Sequence, residues 1–177
     1  MTGFMLFETA IGTCGIAWTE QGISDVLLPG RSPEQTRGML AGRHGAAAET
    51  EPPVAVAEAV AAIVRLLDGA PEDLSGIELD LTGVPEFNRE VYAVARTIGP
   101  GSTLCYGDIA SRIGRPGAAR AVGRAMGENP CPIVVPCHRV LAADGSLHGF
   151  SSYGGLTTKR RMLQIEGALA PDEATLF

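Results

Sequence analysis

The chain has 177 residues, 45% of them apolar and 19% charged, with a formal charge of −6. That length and apolar fraction suit a soluble globular protein with one core or two small ones, and no apolar run approaches the length of a membrane span. Four cysteines without framework spacing argue against a disulfide-stapled secreted fold, and the start of the chain has no basic leader, so a reducing, cytoplasmic setting is expected.

The first third reads as a small sheet followed by helices. Residues 4–7, 15–18 and 23–28 are short apolar runs separated by turn signals at 11–13 and 20–22, which predicts three strands. Ser32-Pro33-Glu34 opens a helix, with the serine as cap and the proline in the first turn. Residues 43–53 are small and polar and read as a loop. Val56, Val60, Ile63, Val64 and Leu67 recur at helical spacing, which predicts a helix over 54–67. Residues 77–81 alternate as a final strand. This part carries no nucleotide loop, repeat or metal constellation and reads as scaffold.

Thr82-Gly83-Val84-Pro85 marks a domain boundary, giving domains over 1–82 and 83–177. Phe87, Val91, Val94, Ala95 and Ile98 form one apolar face over 87–98. Two shorter helices are expected at 107–113 and 118–126, joined through Gly114-Arg115-Pro116-Gly117. Two short helices around a glycine-containing turn make a helix-turn-helix candidate. On the second, Ala119 and Gly123 keep the surface flat, and Arg120 and Arg124 lie one turn apart on one face. The charge distribution fits. Residues 1–105 carry six Lys/Arg against fourteen Asp/Glu (−8), residues 106–165 eight against three (+5), and the last twelve residues −3. A basic segment on an acidic chain is either a footprint for phosphate or an ordinary solvated face.

The stretch 128–140 organises the rest. Pro130, Pro132 and Pro136 interrupt helix and central sheet, and Ile133-Val134-Val135 reads as a buried strand-like run. The expectation is a fixed, extended rod that delivers Cys137, with His138 beside it as a base, in the manner of a positioned nucleophile. Core packing of the thiol is the competing reading. A metal site on Cys131, Cys137 and His138 has the wrong spacing and no second Cys/His pair, so no metal is expected.

Taken together, Tyr106, then Ala119-Arg120-Ala121-Val122-Gly123, Asn129-Pro130, Pro132-Ile133-Val134-Val135-Pro136-Cys137-His138-Arg139-Val140, Gly154-Gly155-Leu156 with Lys159, and Glu166-Gly167 resemble the O6-alkylguanine-DNA alkyltransferases, also called methylated-DNA–protein-cysteine methyltransferases. The resemblance covers residues 85–167 in order. It implies an α+β fold: a small N-terminal α/β domain of sheet plus helices, then a helical C-terminal domain with a helix-turn-helix. It implies a DNA-repair protein that flips O6-alkylguanine out of duplex DNA and transfers the alkyl group irreversibly, once per molecule, to Cys137. His138 would activate the thiol through a water, Glu166 would hold the imidazole, Tyr106 would donate a proton to the departing base, and Asn129 would pin the turn. Arg120 would fill the vacated stack from the minor groove, with Ala119, Gly123, Arg124 and Tyr106 on the DNA. Met126, Pro132, Val140, Phe150 and Ser151 would line the base pocket. The partner is double-stranded DNA near the nucleoid, with no cofactor, membrane or obligate protein partner. The loop 149–155 is about two residues longer than the family pattern, with Ser151-Ser152-Tyr153 preceding Gly154. A lesion-binding protein of the alkyltransferase-like kind, a methyl-responsive regulator and an unrelated thiol hydrolase are the rival readings; the first lacks the acceptor cysteine.

Overall fold

The computed structural model describes residues 2–45, 47–148 and 153–172. The first half builds a four-stranded sheet in the order β3-β2-β1-β4. β1 (Gly3–Thr9) and β2 (Gly12–Trp18) form an antiparallel hairpin in which Phe7 faces Cys14, and β3 (Ile23–Leu27) pairs antiparallel with β2. β4 (Ala48–Glu49) adds two residues parallel to β1, inside the stretch read from sequence as a loop.

The two sheet faces have different partners. On one, α1 (Pro33–Arg43) sets Leu40 against Phe4, Ala17 and Leu27. Ser32 caps this helix by accepting from the Gln35 amide, as the sequence predicts. The close approach depends on Gly15, because a Cβ there would overlap Leu40. On the other face, Phe7, Ile16, Trp18 and Val26 join Val56, Ile63 and Leu66 of α2 (Val54–Leu67), and that cluster continues into the second half as far as Met162.

The alternation at 77–81 does not produce a strand. Leu79 makes a single parallel bridge to Ile23, with Ile23 donating to Glu78 O and Asp80 donating to Ile23 O. The chain touches the end of β3 there and leaves it, so no ladder propagates.

The second half is mainly helical. α3 (Glu86–Ala95) buries Val91, Tyr92 and Ala95, α4 (Tyr106–Arg112) buries Ile109 and Ala110, and α5 (Ala119–Gly127) buries Val122, Ala125 and Met126. α4 and α5 pack on each other and on α3, forming the helix-turn-helix. Cys105 caps α4, accepting from the Asp108 amide while the Asp108 carboxylate accepts from the Cys105 amide. Two two-residue strands, β5 (Leu104–Cys105) and β6 (Val140–Leu141), pair in parallel. This ladder fixes Tyr106 beside the chain that has just passed Cys137. α6 (Gly155–Ile165), not anticipated as a helix from sequence, buries Lys159, Met162 and Leu163 and ends at Glu166.

Candidate active site around Cys137

The segment expected to be a straight, strand-like rod is folded back on itself. Val135 donates to Cys131 O at 2.8 Å, Pro132 bridges Val135, and Ile133 takes φ +76°. A β-branched residue at positive φ is strained, and here it is held by burial, with Ile133 only 1% exposed. Prolines without N–H groups favour such a turn over a sheet ladder. Asn129 closes it from both sides: its Nδ2 donates to Val135 O and its Oδ1 accepts from the Cys131 amide, each at 2.9 Å. Pro130 O accepts from the Val26 amide at 2.8 Å, which fastens the turn to β3. The chain leaves through Pro136 into a one-turn 3₁₀ helix, Cys137–Arg139.

The three residues of that turn are buried and have distinct surroundings. His138 Nε2 lies 2.8 Å from Glu166 Oε1, and Arg139 grips the same carboxylate with two hydrogen bonds of 2.8 Å. The third Arg139 donor reaches Ile98 O. Burial pushes the Glu166 carboxyl up, but the hydrogen bonds from His138 and Arg139 outweigh it and hold it at about 2. Burial pushes His138 down despite Glu166, so the imidazole is neutral. A neutral ring facing a carboxylate carries its proton on Nε2, which leaves Nδ1 as the lone-pair nitrogen. Nδ1 is buried and has no hydrogen-bond partner among the described residues.

Cys137 is itself buried, which raises its thiol. Opposing this are the Asn129 side chain, the Lys159 charge and the backbone N–H groups of Cys137 and His138. Lys159 is 1% exposed and donates to Val140 O at 2.6 Å and His148 O at 3.1 Å. The Tyr106 hydroxyl donates to the same His148 carbonyl at 3.3 Å. Burial, then the neighbouring Cys137, raises the Tyr106 phenol, so it stays protonated.

A cavity of ≈ 290 Å³ opens beside the thiol. Met126, Asn129, Pro132 and Cys137, all singled out from sequence, line it. Val140 is buried, with its carbonyl bonded to Lys159. Arg120 and Arg124 are exposed on α5, and Ala119 and Gly123 are part-exposed beside them. Of the eight cations in 106–165, Arg139 and Lys159 are buried at the site, so the exposed basic footprint is smaller than the sequence count. Phe150 and Ser151, and with them most of the loop 149–155, lie outside the described residues. Sequence reasoning missed the parts of Arg139 and Lys159, although both stand inside the quoted motifs. It also missed the contribution of α1 to the cavity, for which no local signal exists.

Residues 86–168 match the family model described as 6-O-methylguanine DNA methyltransferase, DNA binding domain. A methylated-DNA–protein-cysteine methyltransferase of Mycobacterium tuberculosis is 50% identical over 101 residues, covering 57% of this chain and 59% of that relative, less than two thirds of its length. One from Mycolicibacterium paratuberculosis is 48% identical over 128 residues, covering 72% of this chain and 75% of the relative. The crystal structure of the M. tuberculosis protein OGT in complex with DNA superposes with a TM-score of 0.71 at 34% identity, covering 96% of this chain and 95% of that one.

Proposed function

The chain belongs to the methylated-DNA–protein-cysteine methyltransferase family, and on that premise we propose that it is a cytoplasmic, nucleoid-associated DNA-repair protein that takes alkyl groups from O6-alkylguanine onto its own Cys137. The observation that carries this reading is the buried thiol at the wall of a base-sized cavity, followed in the chain by a neutral histidine oriented by an ionised glutamate. Residues 1–82 serve as scaffold, and residues 83–177 bind DNA and carry the acceptor.

The target atom is hidden inside a duplex, so the nucleotide is extruded at a cost of a few kcal/mol. Arg120, exposed on the flat face of α5, fills the gap from the minor groove, with Ala119, Gly123 and Arg124 against the backbone. The flipped guanine enters between Met126 and Pro132 and donates to the Val140 and Cys137 carbonyls.

The Cys137 thiol gives its proton to His138 Nδ1 through a water, and Glu166 acts as a positioning residue that keeps the useful tautomer. The thiolate attacks the alkyl carbon in line, a C–S bond forms and the C–O6 bond breaks. Tyr106 protonates the departing base and is reprotonated by way of His138 and solvent, so the proton lost by the thiol ends on guanine. A thioether is stable to water, so each molecule reacts once.

Intact-mass measurement after incubation with O6-methylguanine duplex tests this. The expected product is one added methyl per chain, located on Cys137 and abolished by Cys137→Ala, which still binds DNA. Repeated turnover, or methyl on Cys131, would overturn it; burial already holds the Cys131 thiol well above its usual range.

A further inference from the structure

The cavity beside Cys137 has two walls, and only one comes from the second half of the chain. The other is built by Leu28 and Pro29, just past β3, and by Gln35, Met39 and Arg43 of α1. These three helical positions are spaced i, i+4, i+8 and form one stripe along the helix. Thr36 and Leu40 hold α1 on the sheet by an adjacent face, about a quarter turn round the helix, so core packing leaves the stripe beside the buried face and along the cavity.

The two ends of the stripe are already engaged within the N-terminal half. Gln35 Oε1 accepts from the Arg31 amide at 2.6 Å, and Arg43 Nη1 donates to both oxygens of buried Asp25 at 3.2 Å. Met39 in the middle is 43% exposed. Among the described residues only four large apolar side chains are exposed, and two of them, Met39 and Tyr153, line this one cavity. Tyr153 is tethered to the same side by Arg31, whose guanidinium lies 5.6 Å from its ring centroid. Apolar side chains gathered at a cavity mouth mark a place that takes apolar ligand surface, and methionine adapts its shape to different ligands.

Size points the same way. A cavity of about 150 Å³ takes a benzene ring, whereas this one measures ≈ 290 Å³. It has room for a base and for a substituent well beyond one carbon. We infer that the stripe on α1, with Met39 at its centre and Leu28 and Pro29 beside it, is the specificity-determining wall for the alkyl group, admitting apolar alkyl and aryl substituents larger than methyl. The inference rests on Cys137 being the acceptor.

The test compares single-turnover transfer from O6-methylguanine and O6-benzylguanine placed in the same duplex, for the parent chain, Met39→Trp and Met39→Leu. Filling the wall with Met39→Trp is expected to lower the benzyl-to-methyl rate ratio about tenfold or more, and the volume-conserving Met39→Leu is expected to restore it. Gln35→Trp, one turn earlier on the same stripe and also exposed, repeats the test should Met39→Trp melt early. A ratio within about twofold of the parent in both tryptophan variants overturns the wall. Absence of methyl transfer by the parent chain would instead overturn the acceptor reading beneath it.

Discussion

Lys159 is a buried cation whose two hydrogen-bond acceptors among the described residues are neutral carbonyls, those of Val140 and His148. Burial lowers its ammonium, and the neighbouring Cys137 raises it. Such a charge is costly unless something nearby becomes negative. The Cys137 thiolate is that group, and the Lys159 charge counts among the influences that bring the thiol down. Lys159 is therefore a positioning residue with an electrostatic signature. Lys159→Met is expected to move the pH profile of single-turnover alkyl transfer to higher pH. Transfer at neutral pH should slow by about tenfold for each pH unit that the profile moves. Lys159→Arg should recover part of the loss. Uniform slowing at every pH would assign Lys159 to packing alone. The Tyr106 hydroxyl shares the His148 carbonyl with Lys159, so the profile should be read with O6-methylguanine in one fixed duplex.

At the scale of elements, α5 divides its labour by face. Val122, Ala125 and Met126 are buried against α3 and α4, whereas Arg120 and Arg124 point outward. Arg120→Ala removes no buried surface and should leave the thermal midpoint within about 2 °C, a change typical of a surface substitution. Repair of duplex O6-alkylguanine is expected to fall by orders of magnitude, and reaction with free O6-benzylguanine, which needs no flipping, much less. Equal loss on both substrates would place Arg120 in the chemistry. The same face logic explains what could be read from sequence. The stretch 54–67 was legible because apolar residues recur at helical spacing over whole turns, and the paired short helices because Gly114-Arg115-Pro116-Gly117 marks the turn between them. α6 was not, because a buried lysine occupies a position where periodicity asks for an apolar residue. The run Ile133-Val134-Val135 misled in the opposite direction: β-branched composition reads as strand, but the flanking prolines and the double grip of Asn129 bend it into a turn. At the site, Cys137 and His138 were visible as neighbours, while Glu166, 28 residues beyond His138, was reached only through the family pattern. The α1 wall left no trace, because only the docking of β3 on the turn at Pro130 brings it to the thiol.

For the molecule as a whole, the site is also a tie between distant parts of the chain. Glu166 at the end of α6 holds His138 and Arg139, and Arg139 reaches on to the carbonyl of Ile98 just beyond α3. Protonation of this network is therefore linked to global stability. Burial depresses the folded value of His138 below its ordinary 6.5, so the unfolded chain binds this proton more readily and stability begins to fall as pH drops below 6.5. Glu166 is an acid whose folded value is also depressed, from 4.5 to about 2. Its contribution is complete above pH 4.5 and is lost as pH falls from 4.5 toward 2. Glu166→Gln keeps the shape and leaves the Arg139 charge buried without its partner, which costs about 3–5 kcal/mol for a broken buried pair. In chemical denaturation, the parent is expected to exceed Glu166→Gln by that amount near neutral pH, and the gap should close progressively below pH 4.5 as the carboxyl of the parent's unfolded chain takes up its proton while the folded one stays ionised toward pH 2. A gap that stays constant from neutral pH down to about pH 3 would mean that Glu166 is not held ionised by Arg139, and the orientation of His138 would then need another source.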